Sequence, residues 1–171
     1  MSRIEPLARI RVGVVVERRK AKSAWADFVW RPIAVLAGEP EAALWTLLDT
    51  DADRATYYAG AADIEMYRTD CGNYRDNLAT DAPKLWAVLR PTGAEPPFAV
   101  VAVTADPSEG EALATSGTDL VEALPMPEPI RAVLAAFVAE HHVADEVFVK
   151  RARDRADPQA LARRARIKGR P

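Results

Sequence analysis

Alternation of apolar and polar residues between Ala8 and Arg18 constrains the fold more than any other feature of this chain. Ile10, Val12, Val14 and Val16 occupy every second position of that stretch. A period of two residues puts these side chains on one face of an extended strand. A half-buried strand needs neighbours to cover it, so the pattern predicts a sheet.

Further short segments before residue 125 have the composition of strands and are separated by Gly, Pro and Asp. Pro32 predicts a bulge or an edge position, because proline cannot donate a ladder hydrogen bond. Gly60 predicts a tight connection or a bulge. Thr69–Pro83 contains turn residues without a period, so a long loop is predicted there. The predicted strands after the first are Trp25–Leu36, Ala43–Leu48, Arg54–Ala59, Ala62–Arg68, the hairpin pair Lys84–Arg90 and Pro97–Thr104, and Leu120–Leu124.

Three segments have helix signals. Asp106 before Pro107 is an N-cap followed by a first helical position, which predicts a short helix through Ala114. A second N-cap and proline pair at Asp157 predicts a helix through Arg166. The clearest pattern predicts an amphipathic helix over residues 128–142, and packing on the sheet is favoured over binding a partner helix. Its stripe recurs at helical spacing and consists of Ile130, Val133, Leu134, Phe137, Val138 and His141.

These elements predict a single α+β domain, mainly an antiparallel sheet curled into a barrel or a sandwich. Residues 1–146 form the β-rich domain with its C-terminal helix, and residues 147–171 form a basic, partly helical tail, the basic arm. Hydrophobic residues make up 49% of the chain, which predicts a core that closes without a metal or disulfide. Cys71 is the one cysteine, and with the lack of a secretory signal near Met1 it predicts a cytoplasmic protein.

Charge is distributed unequally along the chain. From Val149 to Pro171 there are nine basic and two acidic residues, whereas the remaining residues carry a net charge of −9. Such a segment favours an anionic partner. It contains no aromatic residue and no nucleic-acid motif, so nucleic acid is less favoured than an acidic protein surface, and a solvated or self-docked tail is more favoured than either. The arm residues predicted to bind a partner are Lys150, Arg151, Arg153, Arg155, Arg163, Arg164 and Arg166.

The predicted loop brings Asn73, Tyr74 and Arg75 together, and binding loops often concentrate such polar groups. We include these three residues in the predicted partner-binding set. Cys71 lies beside Asp70, an anion that disfavours the thiolate, so a nucleophilic role is not favoured. His141 and His142 are adjacent on the predicted helix and point about 100° apart, which disfavours shared metal binding. No cofactor, metal or catalytic residue is predicted.

Several stretches together resemble one known family. They are Ile10–Arg19, Trp25–Pro32, Gly72–Leu78, Val147–Arg151 and Asp154–Pro158. The chain is similar over nearly its whole length to the uncharacterised proteobacterial proteins grouped as domain of unknown function 3305. The resemblance implies a gene context beside formate dehydrogenase subunits and their maturation factors.

The expected function is therefore a non-enzymatic cytoplasmic accessory or assembly protein that binds a protein partner. The resemblance implies that this partner belongs to a formate dehydrogenase system, as a subunit or a maturation factor. One alternative is an anion or nucleic-acid binder acting through the basic arm, and another is an enzyme built around Cys71 and a histidine. The sequence leaves a homo-oligomer open.

Overall fold

The computed structural model describes the backbone of residues 4–25 and 27–155, and the side chains of residues 4–25 and 27–142. A single 3₁₀ turn, Arg68–Asp70, precedes the first helix. In chain order the elements are β1 (Ala8–Lys20), β2 (Phe28–Ala37), β3 (Thr46–Thr50), β4 (Arg54–Met66), α1 (Cys71–Leu78), β5 (Lys84–Pro91), β6 (Phe98–Thr104), α2 (Pro107–Thr115), β7 (Leu120–Pro125) and α3 (Glu128–Arg155).

The strands form two antiparallel sheets, which confirms the α+β prediction. One sheet has the order β2-β1-β4-β3, and the other has the order β6-β5-β7. β4 lies against β6 and β2 lies against β7, so the two sheets enclose one core. Within the described part of the chain no ladder joins the two sheets, so they are not closed into a barrel.

β1 is the central strand of the larger sheet and pairs with β2 on one side and β4 on the other. Val12, Val14 and Val16 are fully buried, as the alternation predicts. Pro32 lies at a bulge of the edge strand β2, where Val16 pairs with Pro32 and Val15 with Ala34. Proline is therefore accommodated without loss of a central ladder bond.

Two strand predictions need correction. Arg54–Ala59 and Ala62–Arg68 are one strand, β4, because Gly60 forms a bulge with φ +148° and does not turn the chain. The predicted strand Ala43–Leu48 is displaced to Thr46–Thr50. Trp45 has φ +64°, a left-handed conformation that interrupts extended backbone before Thr46.

The prediction of a long loop over Thr69–Pro83 is wrong, because residues 71–78 form α1. The Tyr74 hydroxyl accepts a hydrogen bond from the Tyr67 amide at 3.1 Å. The buried Asn77 amide donates to the carbonyl oxygens of Lys84 and Ala105 at 2.8 and 2.9 Å. These tertiary bonds hold a helix that has weak local propensity at its glycine and asparagine positions.

The two later helices begin as predicted. The Asp106 carboxylate caps α2 by accepting a hydrogen bond from the Ser108 amide at 2.9 Å. On α3 the buried stripe packs in the core, which confirms the preferred interpretation. Val133 was assigned to that stripe but lies at its margin and is 48% exposed. The buried members of the stripe are Ile130, Leu134, Phe137 and Val138.

The backbone of α3 continues past the predicted end at residue 142 and reaches Arg155. It therefore crosses the predicted start of the basic arm at residue 147, and the division into two parts stays a prediction. The predicted helix Asp157–Arg166 lies outside the described residues. No helix in the part of the chain that the structure describes is both long and apolar enough to cross a membrane.

Candidate functional site

The outer face of the four-stranded sheet gathers four charged side chains at one end. Glu17 on β1 pairs directly with Arg31 on β2, and Arg19 on β1 pairs with Arg54 on β4. Directly paired residues project from the same face of a sheet, and alternate residues of one strand do so as well. The register of three strands therefore places Glu17 between the three arginines.

Glu17 is the centre of this group and is only 3% exposed. Its Oε1 lies 3.1 Å from Arg19 Nε and 3.5 Å from Arg31 Nε, and its Oε2 lies 3.6 Å from Arg54 Nη1. A buried carboxylate is costly unless it is paired, and here three guanidinium groups pair with it. We name Arg19, Arg31 and Arg54 the arginine cluster; all three remain 40–55% exposed.

An open depression of 280 Å³ adjoins the cluster. Four of the side chains that line this depression are cationic, and one is a carboxylate. The residues lining it are Glu17, Arg19, Lys20, Ala21, Lys22, Val29 and Arg31.

Asp51 balances part of the positive charge beside Arg54, at 3.8 Å from Arg54 Nε to its Oδ2. The Asp53 amide donates a hydrogen bond to Asp51, and this bond is the main cause that lowers the pKa of Asp51. The Arg54 amide and the guanidinium groups of Arg54 and Arg19 lower it further. Asp51 therefore stays ionised, and it offsets part of the charge of Arg54 and Arg19, although it does not line the depression.

The loop between β1 and β2, whose residues Ala21 and Lys22 line the depression, also has a large exposed aromatic side chain. Trp25 is 97% exposed, and Val29 on β2 is 53% exposed. We define the hairpin surface as Arg19, Lys22, Trp25, Val29 and Arg31.

The opposite face of the same strands is packed with rings. Trp30 lies 5.8 Å from Trp45 and 6.0 Å from Tyr57 between ring centroids. The Arg18 guanidinium lies 4.4 Å from the centroid of the Phe28 ring, within cation–π range. This packing fixes the ends of β1 and β2 and so holds the hairpin surface in place.

A second exposed apolar group lies at the other edge of the sheet. Leu44, Leu47 and Leu48 are each more than half exposed, and the last two belong to the edge strand β3. Isolated exposed leucines are common, whereas a cluster of them on an edge strand is typical of a contact surface.

Comparison with known proteins identifies the family. Residues 11–152 match the family model described as "Protein of unknown function (DUF3305)". The chain belongs to this family. The match includes most of β1, all of β2 and every member of the arginine cluster, and it confirms the resemblance to this family over those residues. No curated protein and no solved structure matches the chain.

The loop residues predicted to bind a partner occupy three different environments in this DUF3305 chain. Tyr74 is buried against Phe137, and burial raises the pKa of its hydroxyl. The Asn73 amide donates to Asp106 Oδ2 at 3.2 Å. Arg75 is half exposed and lies 2.7 Å from His142 Nε2. A partner-binding role for Asn73, Tyr74 and Arg75 stays a prediction.

The basic arm of the DUF3305 chain is described only in part. Lys150, Arg151, Arg153 and Arg155 lie on the helical backbone of α3, and their side chains are outside the described set. Arg163, Arg164 and Arg166 lie outside the described residues. Their predicted contacts with a partner therefore stay predictions.

Cys71 and the two histidines lie on α1 and α3, which pack against each other. Cys71 is fully buried, with its thiol 3.9 Å from the Tyr67 carbonyl oxygen. The His141 ring packs on Phe137, with 4.4 Å between centroids. Among the side chains described, no group of three or more His, Cys, Asp or Glu residues is placed to hold a metal ion.

Sequence reasoning missed the arginine cluster. In the sequence, Glu17–Lys20 is a charged run that follows the valines of β1, and Arg31 and Arg54 lie on other strands. One signal was available, because Glu17 continues the face of Val15 at a position where a polar residue needs a partner. The register that supplies the three partners depends on bulges at Pro32 and Gly60.

Proposed function

We propose that this chain is a non-enzymatic accessory protein that binds a protein partner with an acidic surface. The hairpin surface is the proposed contact site. The observation that carries the proposal is the 97% exposure of Trp25, on the loop that joins the strands of Arg19 and Arg31. Tryptophan and arginine are the residue types most enriched among those that dominate binding energy at protein interfaces.

The charge of the hairpin surface supports an acidic partner. Arg19, Lys22 and Arg31 lie around one depression, and Glu17 is the carboxylate that lines it. Complementary charge speeds association and disfavours basic partners. Trp25 and Val29 supply the apolar area that such contacts require for affinity.

The proposed biological setting follows from the gene context that the family resemblance implies. We propose that the partner is a formate dehydrogenase subunit or maturation factor, met in the cytoplasm. In this proposal the chain assists assembly of the enzyme, and other proteins carry out the chemical steps of its maturation. Support for this setting is the family assignment together with a surface suited to protein contact.

Co-purification of the tagged full chain from its native cells tests the proposal. We expect formate dehydrogenase components to be retained by the wild type and by Val133→Ser, which alters an exposed valine on α3. Trp25→Ser is expected to reduce retention about tenfold or more, because truncating a dominant interface residue weakens binding by that order. Retention of these components by the tag alone, or equal retention by Trp25→Ser, would contradict the proposal.

A further inference from the structure

We propose that the arginine cluster is a carboxylate-binding site that takes Asp and Glu side chains of an acidic segment of the partner. The inference rests on the proposed function and specifies which chemistry of the partner is recognised. Glu17 holds the three guanidinium groups in place, and these offer more N–H donors than one carboxylate can accept. Two of these arginines, Arg19 and Arg31, line the depression.

The geometry of Arg19 and Arg31 is preorganised for this role. Both contact Glu17 through Nε, the inner nitrogen of the guanidinium. Within the described residues, Glu17 is the one acid within ion-pair distance of either. Their outer nitrogens therefore form the exposed end of each group, which is the geometry in which arginine binds carboxylates through two parallel hydrogen bonds.

Charge in the depression favours an anion. Lys20 and Lys22 add to Arg19 and Arg31, whereas Glu17 is buried and is already shared by three cations. The nearby Asp51 contacts Arg54 on the other side of the cluster. An incoming carboxylate thus meets two guanidinium groups that remain net positive after Glu17 is counted.

Protein carboxylates fit this site better than free phosphate. Dedicated phosphate sites commonly use backbone N–H groups at helix N-termini or in glycine-rich loops. Here the lining comes from side chains of two strands and their hairpin. Val29 in the lining and Trp25 on the hairpin loop would not contact a small bound anion, but a polypeptide lying across the hairpin would cover both.

Binding of a fluorescein-labelled peptide of alternating Glu and Asp to the full chain tests the inference. We expect Arg19→Gln/Arg31→Gln to weaken binding about tenfold at moderate salt. The control Arg90→Gln/Arg131→Gln removes the same charge from exposed arginines elsewhere and is expected to weaken it less than about twofold. Equal losses in the two double variants would overturn the inference.

Three further measurements keep the test decisive. In the wild type, the side-chain Nε–H resonances of Arg19 and Arg31 should shift on adding peptide, and unshifted resonances would overturn the inference even if the double variant misfolds. The folded variant Arg19→Lys/Arg31→Lys keeps charge but loses paired hydrogen bonding, so intermediate affinity is expected. Inorganic phosphate that displaces the peptide at equal concentration would instead indicate a simple anion site.

Two additional variants distinguish binding at the cluster from binding at the basic arm, and failure of the inference from failure of the proposed function. Full loss of peptide binding in Arg163→Gln/Arg164→Gln/Arg166→Gln, with none in Arg19→Gln/Arg31→Gln, would place the site on the arm and overturn the inference. A formate dehydrogenase component retained by Arg19→Gln/Arg31→Gln but lost by Trp25→Ser would sink the inference alone. Absence of any retained component in the wild type would sink the proposed function, whereas the peptide titration would still test the cluster.

Discussion

Glu17 and Arg31 lie directly opposite each other on β1 and β2, with 3.5 Å between Glu17 Oε1 and Arg31 Nε. Through this pair the strand register determines the position of an arginine in the proposed contact site. The strand register that buries the valines of β1 on one face also buries Glu17 on the other. A carboxylate fixed in the sheet then determines where the arginines of the hairpin surface lie.

Glu17→Gln should destabilise the fold, because three guanidinium groups lose the charge that they share. We expect a loss of about 1–3 kcal/mol in the free energy of unfolding, below that of a fully buried pair since the arginines are half exposed. Urea denaturation measures it. Glu122→Gln, at an exposed position of β7, serves as the control and should change stability by less than about 0.5 kcal/mol. Equal stability of the two variants would contradict our account of Glu17.

Asn77→Ala should destabilise the fold much more than Asn73→Ala on the same helix. Asn77 is buried and makes three hydrogen bonds, to Lys84 and Ala105, whereas Asn73 donates one bond to Asp106. Leaving buried backbone groups without partners costs about 2–4 kcal/mol in total. Thermal or urea unfolding compares the two variants, and similar losses would show that α1 is not anchored through Asn77.

Two glycine substitutions should change stability in opposite directions. A Cβ at Gly110 would overlap the Trp86 indole, so Gly110→Ala should cost about 1–3 kcal/mol. A Cβ at Gly72 meets no described atom within 4 Å, and Gly72→Ala should gain about 0.5–1 kcal/mol of helix stability. Calorimetry on both variants tests the packing of α2 on β5 and the presence of α1. A stabilising Gly110→Ala would contradict that packing.

The free energy of unfolding at acid pH should depend on Asp119. Arg90 donates two hydrogen bonds to its carboxylate, at 3.1 and 3.0 Å, and these lower the pKa of Asp119. Because the folded-state pKa is depressed, the ion pair stabilises the fold above the ordinary pKa of about 4, and this contribution is lost as pH falls through the depressed value.

The free energy of unfolding of Asp119→Asn should therefore fall less steeply below about pH 4 than that of the wild type. Denaturation series across pH measure the two slopes. Identical slopes would show that the Arg90 pair does not contribute to folding.

Sequence patterns predicted those elements whose signals are local. The alternation in β1, the Asp106 cap of α2 and the stripe of α3 each depend on neighbours within a few residues, and all three are found in the structure. α1 was missed because its stability comes from Asn77 and Tyr74 contacts with distant strands. Such contacts produce no periodic pattern of apolar residues in a segment of eight residues.

The candidate site was less predictable than the fold. Arg31 and Arg54 lie next to Glu17 only because of the strand order and register. Two bulges shift that register by one residue each. A shift of one residue moves every later side chain to the other face.

Site-specific photo-crosslinking at position 25 tests the central claim most directly. A photoreactive phenylalanine analogue replaces Trp25 in the full chain in its native cells, and Val133 carries the same analogue as the control. We predict a light-dependent adduct at position 25 whose crosslinked peptide, identified by mass spectrometry, is rich in Asp and Glu and comes from a formate dehydrogenase component. Adducts equally abundant at both positions, or none at position 25, would contradict the account.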